Sequence, residues 1–273
     1  MSLYPFKHKH NVYIMNVLVT GASGYFGRTI VDHIKSSTDW NVLSPSHSEF
    51  DLSKPLSHDF QVNYIIHAAA RRYGTLEECI VDNVVGTCNL LNFAKKQTNL
   101  INFVFISSND IFGPGSEPRD EEAPINPQTP YAMTKAIAES ICLHSNLPVA
   151  TFRIVNILCP EPDPRKFPSI CRRYISSEKK LTIYNGKRLY IHALDAADAV
   201  LFVLSRRLTG KFNITGVAFS NLEVAQIVAD KIGKTLFYEI KEGGVGNEAE
   251  YNLSSLKLER LGWSLKMNPK DYI

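Results

Sequence analysis

Tyr131 and Lys135 stand four residues apart, a spacing that puts both side chains on one face of a helix. A phenol with an ammonium beside it can act as a general base. The cation favours phenolate and brings a tyrosine pKa of about 10 towards working pH. Ser107 and Ser108 close an apolar run that reads as a strand, and they stand at its carboxyl end, where open α/β sheets place their ligands. A serine hydroxyl there can hydrogen-bond the same substrate oxygen that Tyr131 deprotonates. Upstream, Gly21-Ala22-Ser23-Gly24-Tyr25-Phe26-Gly27 has the spacing G-x-x-G-x-x-G directly after Val17-Leu18-Val19-Thr20. The first glycines let the backbone turn and approach a pyrophosphate, and the third lets a helix pack closely on the strand. The helix N-terminus offers free N–H groups and a positive dipole end to phosphates. Glycine loop, strand-end serine and Tyr/Lys pair follow one another in working order.

These residues need a scaffold, and the hydrophobic pattern supplies one. Apolar runs predict strands over 13–20, 41–43, 62–67, 101–107 and 148–155. Between them, helices are expected over 25–36, 76–96 and 131–146, with a Pro/Gly-rich loop over 112–130. Such alternation implies right-handed crossovers and a parallel sheet covered on both faces. The expected fold class is therefore α/β, a doubly wound Rossmann sheet. A proline-rich loop from Cys159 to Pro164 then marks a change of organisation. Further helices are expected near 168–177, 195–206, 221–232 and 254–261. The division read from this is an N-terminal extension over 1–14, an NAD(P)-binding domain over 15–155, and a mainly substrate-binding α/β lobe over 156–273. The chain is expected to return to the first domain near 190–215.

Composition narrows the function classes. With 44% hydrophobic and 21% charged residues, the chain has the balance of a globular protein. A net charge of +3 gives no electrostatic case for nucleic acid or an anionic membrane. No apolar run approaches the roughly 20 residues of a spanning helix, and the polar, basic first ten positions do not read as a signal peptide. Five cysteines without a C-x-x-C pair argue against a zinc site or disulfide framework. The expectation is a cytoplasmic protein with reduced thiols and no metal.

The motifs together resemble the extended short-chain dehydrogenase/reductase family, in its nucleotide-sugar epimerase and dehydratase branch. Matching pieces run from about Met15 to Asn268. They include the glycine loop, Asp51-Leu52, the turn Ile66-His67-Ala68-Ala69, Asn83 in Asn-Val-Val-Gly-Thr, and Ser-Ser-x-x-Ile-Phe-Gly. Phe152-Arg153-Ile154-Val155-Asn156 and the run from Gly186 through Arg188, Tyr190 and His192 to Asp195 extend the likeness. The resemblance implies that Ser108 is the catalytic serine, beside Tyr131 and Lys135. It also implies that Asp51, Leu52, His67, Ala68, Ala69, Ser107 and Lys135 lie along the dinucleotide, and that Asn83 supports the active-site helix. Asn109, Asn156 and Arg188 become substrate contacts, Arg188 as a clamp on the diphosphate, whose oxygens a guanidinium fork matches. His192 and Asp195 are expected to be structural.

An NAD site usually carries Asp or Glu at the end of the second strand. Here that position reads Ser44-Pro45-Ser46-His47, with no acid until Glu49. Ser46, His47 or Arg28 can instead receive a 2′-phosphate, so the balance leans slightly to NADP over NAD. The family implies hydride chemistry at a sugar carbon on a nucleotide-sugar substrate. Asn109-Asp110 replaces the Asp-Glu pair that a 4,6-dehydratase uses. A 4-epimerase is placed slightly ahead of a 4-keto-sugar reductase, then the dehydratase, then a non-catalytic dinucleotide-binding regulator. The helices over 76–96 and 131–146 offer a route to a homodimer, as in many relatives.

Overall fold

The computed structural model describes residues 14–161, 163–242 and 251–273. Apart from Ile14, the extension read over 1–14 lies outside the described residues. Along the chain come β1 (Asn16–Thr20), α1 (Tyr25–Ser37), β2 (Asn41–Leu43) and β3 (Tyr64–His67). Then follow α2 (Leu76–Cys79), a π-helical turn (Ile80–Val85), α3 (Gly86–Ala94) and β4 (Asn102–Ser108). A 3-10 turn (Asn109–Phe112) leads to β5 (Gly115–Arg119), α4 (Pro130–Leu143) and β6 (Val149–Ile154). The remainder is β7 (Asn156–Leu158), α5 (Phe167–Ser176), β8 (Leu181–Tyr184), β9 (Lys187–His192), α6 (Ala193–Ser205) and β10 (Gly210–Ile214). It ends with β11 (Val217–Ser220), α7 (Asn221–Ile232), β12 (Tyr238–Lys241), β13 (Tyr251–Leu253), α8 (Leu256–Arg260) and a 3-10 turn (Pro269–Tyr272).

Six strands form one sheet in the order β10-β6-β4-β3-β1-β2, and every pairing in it is parallel. This is the doubly wound Rossmann sheet. Alternate residues of each strand feed two cores, as a period of two requires. Val17, Val19, Ile66, Val104 and Phe152 pack under α1 and α6. Leu18, Ile65, Phe103 and Phe105 pack under α3 and α4. The winding reverses between β1 and β3, so a crevice opens there at the carboxyl ends of the strands. Beside it, β11-β9-β7 and β12-β8 enclose a third core with Cys171, Ile175, Val224 and Val228. The chain comes back from this region to the large sheet, where β10 pairs with β6.

Three local expectations change. The helix expected over 76–96 ends at Ala94 and is interrupted by the π turn, where the Gly86 amide reaches back to the Val81 carbonyl. The extra residue per turn aims Asn83 inward, to 2% exposure. The loop expected over 112–130 contains β5, which pairs in parallel with the distant β13. The helix over 131–146 stops at Leu143, because Ser145 Oγ donates to the Cys142 carbonyl and Asn146 takes φ 62°. The outer faces of the π turn and of α4, which pack against each other, leave Val81, Val85, Met133 and Ile137 exposed.

Candidate active site

The glycine loop is built by close backbone approach. Gly21 has φ 74°, and a Cβ there would meet the Ala69 amide at 2.5 Å, so the loop rests directly on the turn after β3. A Cβ on Gly27 would fall onto the Gly21 carbonyl. Helix α1 begins at Tyr25 with Gly24 as its N-cap, no side-chain cap and no acid in its first turn. By contrast α4 and α7 are capped by Thr129 and Ser220. The amides of α1 therefore face the crevice with their dipole uncompensated, which suits an anionic ligand.

From that loop a cleft of about 650 Å³ runs across the strand ends. Gly21, Gly24, Tyr25, Phe26 and Gly27 line one end, with His47 and Leu52, while Ala68 and Ala69 form its floor. Ser107, Ser108, Asn109, Tyr131 and Asn156 line the other. Ser107 Oγ is buried and has no hydrogen-bond partner within the protein. An orphaned hydroxyl on the wall of a cleft fits a ligand oxygen.

Tyr131 enters this space from the first turn of α4, which Thr129 caps through the Ala132 amide. Burial pushes its phenol above the usual tyrosine range, and Asp110 adds to that, while the Arg72 guanidinium and the Ser108 hydroxyl pull it back. Lys135 is 2% exposed and lies with Nζ 3.9 Å from the centre of the Phe105 ring. Burial pushes its ammonium down to about 7. The cation against Tyr131 is Arg72, whose guanidinium carbon is 5.0 Å from the ring centre. Arg72 also faces Asp110, Nη2 to Oδ2 3.4 Å.

Several predicted residues stand behind the wall. His67 is fully buried, with Nδ1 2.7 Å from Thr20 Oγ1 and Nε2 3.0 Å from Thr87 Oγ1. Burial pushes it down to about 3, so it is a neutral staple between β1, β3 and α3. Asn83 Nδ2 donates to Thr134 Oγ1 of α4 and to the Arg71 carbonyl, while its Oδ1 accepts from the Arg71 amide. It ties the loop after β3 to the helix that carries Tyr131.

At the far end Asp51 holds Ser53 and Lys54 rather than facing the cleft, and the Ser53 hydroxyl first, then Lys54, pull it down to about 2. Glu49 accepts from the Ser46 amide and hydroxyl, both at 2.8 Å. Arg28 pairs with Glu161 at 2.6 Å on the surface. Ser23, Ser46 and Arg28 are not part of the cleft lining; His47 is.

In the C-terminal part, Asn156 Nδ2 donates to the Leu189 carbonyl and borders the cleft. Arg188 does not line it, and its Nε donates to Asn221 Oδ1 at 3.2 Å. His192 caps α6, and Asp195 accepts from the Lys266 and Met267 amides. Arg72, Tyr73, Arg165 and Lys166, all in the wall, belong to the loops over 71–75 and 159–167 on which sequence reasoning made the pocket depend, but it did not single them out. An Arg-Arg-Tyr run directly after a strand-end His-Ala-Ala turn was the available signal. All five cysteines are free thiols, and the described residues contain no His/Cys/Asp/Glu group arranged for a metal.

Comparison with known proteins adds a family. The model of the NAD dependent epimerase/dehydratase family matches residues 17–215. A putative UDP-glucose 4-epimerase of Methanocaldococcus jannaschii is 28% identical over 94% of this chain and 95% of its own length. A trifunctional UDP-glucose 4,6-dehydratase/UDP-4-keto-6-deoxy-D-glucose 3,5-epimerase/UDP-4-keto-L-rhamnose-reductase of Arabidopsis thaliana is 27% identical over 94% of this chain. This chain spans only 45% of that plant relative. Among solved structures, RMD from Pseudomonas aeruginosa complexed with NADPH superposes with a TM-score of 0.82 at 24% identity. It covers 94% of this chain and 96% of that one.

Proposed function

We propose, for a chain that belongs to the NAD dependent epimerase/dehydratase family, that it is an NAD(P)-dependent nucleotide-sugar 4-epimerase acting through a 4-keto intermediate. One observation carries the reading: a single cleft joins the glycine loop to Ser108 and Tyr131. The residues fit a dinucleotide. The uncapped α1 amides and the glycines that no Cβ could replace suit its pyrophosphate, and the unpartnered Ser107 hydroxyl suits a ligand oxygen. The dinucleotide supplies, when bound, the acceptor and donor of hydride.

The protein's own part is proton handling and positioning. Tyr131 accepts the proton of the sugar 4-hydroxyl as that carbon is oxidised, and Ser108 holds the same oxygen by hydrogen bond. After the ketone presents its other face, the proton held by Tyr131 would return to the oxygen while the bound dinucleotide would supply hydride to the carbon, giving the epimer. Elimination to a 4-keto-6-deoxy sugar would need an acid and a base next to Ser108. The cleft offers Asn109, which has no acidic proton, and an Asp110 already facing Arg72.

A 4-keto-sugar reductase is the second reading, favoured by the end of β2. Glu49 is engaged by the Ser46 turn and Asp51 by Ser53, so neither carboxylate is presented to an adenosine ribose. That arrangement suits NADP(H), a cofactor to be consumed and exchanged, rather than NAD held through many turnovers.

The test is incubation of the purified protein with UDP-, dTDP- and GDP-hexoses, with and without added NAD(H) or NADP(H). The epimerase reading expects C4 epimers without net change in cofactor absorbance. Stoichiometric NADPH oxidation with a nucleotide-linked 4-keto sugar, and no epimer, moves the assignment to the reductase. We also propose that a second copy of this chain covers the apolar face of Val81, Val85, Met133 and Ile137, because four exposed aliphatic side chains on adjoining helices favour burial.

A further inference from the structure

We propose that the cleft is built for a nucleotide-linked hexuronic acid, with Arg72 and Lys166 receiving the carboxylate carried by the ring carbon next to the reacting one. The inference rests on the reading of the cleft as a nucleotide-sugar site with Tyr131 and Ser108 on the 4-oxygen, and it names the class of sugar.

The charges of the wall do not balance. Away from the glycine loop, the cleft is lined by the cations Arg71, Arg72, Arg165 and Lys166 and by the carboxylates Asp82, Asp110 and Asp163. Each carboxylate faces an arginine. Asp82 holds Arg71, Asp163 takes Arg165 in a bidentate pair with both contacts at 3.0 Å, and Asp110 faces Arg72 at 3.4 Å. Among the described residues Lys166 enters no ion pair, and its Nζ donates to the Ile157 carbonyl, although an ammonium carries three donors. Burial pushes this ammonium down, and the charge of Arg72 acts in the same direction, against Cys159, Asp163 and Asp110. An enclosed cation beside a second cation is costly until an anion joins them. One surplus positive charge matches one carboxylate.

Position separates this anion from the two diphosphates. The dinucleotide's pyrophosphate suits the α1 amides at the other end of the cleft. The sugar's own diphosphate leaves from C1, across the ring from the 4-oxygen held by Tyr131 and Ser108, and it brings more than one charge. The Arg72 guanidinium carbon lies 5.0 Å from the centre of the Tyr131 ring, so it stands beside the reacting carbon. The substituent on C5, next to C4, is the one within its reach, and in a hexuronic acid that substituent is a carboxylate. Arg72 gives Asp110 a single long contact from Nη2, which leaves N–H groups of the fork for carboxylate oxygens. Its loop is fixed, because the Asn83 amide binds the Arg71 backbone on both sides and Thr134 of α4 as well. A neutral hydroxymethyl group in the same place would leave the Lys166 charge unanswered, so the acid is preferred over the plain hexose.

The test is calorimetric titration of the protein saturated with NAD or NADP, in a Tyr131→Phe background that holds back turnover. The probes are glucose and glucuronic acid, each linked to UDP, dTDP and GDP. For the nucleotide that binds tightest, the glucuronic acid form is expected to bind about tenfold tighter than the glucose form. That ratio should fall to within about threefold of unity in Arg72→Met and in Lys166→Met, whereas Lys166→Arg, which keeps the charge, should retain most of it. Equal affinity for the two forms, a preference for glucose, or an equal loss of both forms in the variants, as a clamp on the diphosphate would give, overturns the proposal. Near-ultraviolet circular dichroism establishes the fold of each variant; should Arg72→Met not fold, the Lys166→Met and Lys166→Arg pair decides. Turnover in the unmutated protein separates the two readings. Tight binding of the acid with no C4 epimer formed would sink the epimerase reading and leave the acid preference standing, while C4 epimers from neutral hexoses bound as tightly as the acids would do the reverse.

Discussion

Lys135 holds an ammonium at 2% exposure, and its environment pushes it down to about 7 from a usual lysine value of about 10.5. Folding therefore releases a proton between those two values, because the unfolded chain still binds it there. Stability from this group rises as pH climbs from about 7 towards 10.5 and is lowest below 7, where a charge must stay buried. Lys135→Met is expected to melt higher than the wild type near pH 6, with the gap closing near pH 10. Thermal melts at the two pH values check this; a gap that widens with pH would show that the ammonium is stabilised where it lies. At this scale the sequence was partly legible. Tyr131 was singled out by its spacing to Lys135, Ser108 and Asn109 by the family resemblance, and all three line the cleft. Arg72 was missed because its partner lies 59 positions away in the chain, and no local periodicity joins a loop arginine to a helix phenol. Arg188 was read as a clamp from its motif, but its Nε is bound to Asn221, which α7 brings up from another element.

The glycine loop and the π turn carry the elements' share of the site. Gly27→Ala would set a methyl group on the Gly21 carbonyl, so α1 and its amides must move away from β1. Dinucleotide affinity, followed by cofactor fluorescence, is expected to fall at least tenfold, whereas Gly233→Ala, which meets no neighbouring atom, should leave it unchanged. Equal affinity in Gly27→Ala would separate the loop from phosphate binding. Asn83→Ala leaves Thr134 and the Arg71 backbone without their shared partner. Loss of such buried hydrogen bonds costs about 1–3 kcal/mol, readable as a lower midpoint in urea. Strand and helix order up to β6 was legible because β1, β3, β4 and β6 are largely apolar runs, as a sheet buried on both faces demands; β10, Gly-Lys-Phe-Asn-Ile, carries no such run. The π turn was not, because one extra residue leaves helical periodicity almost intact. Nor was β5, whose Gly-Ser-Glu-Pro-Arg carries no alternation and pairs with a segment more than 130 positions later.

In the whole molecule the large parallel sheet has its crevice where its winding reverses, so one end of every central strand can contribute to a single cleft. The exposed aliphatic row on the π turn and α4 is the face proposed above to pair with a second copy. Ile137 is 48% exposed, so Ile137→Glu should change monomer stability by no more than about 0.5 kcal/mol. It is expected to convert a dimer into a monomer in light scattering after size exclusion; a wild type that is already monomeric contradicts the pairing. The account's central claim is that Tyr131 performs the proton transfer in a cleft that binds the dinucleotide independently of it. The most direct measurement is turnover of the best nucleotide-sugar substrate by Tyr131→Phe, paired with its dinucleotide affinity. The account predicts a loss of at least a hundredfold in kcat with dinucleotide Kd unchanged within a factor of about three. Turnover retained at the wild-type rate would contradict it.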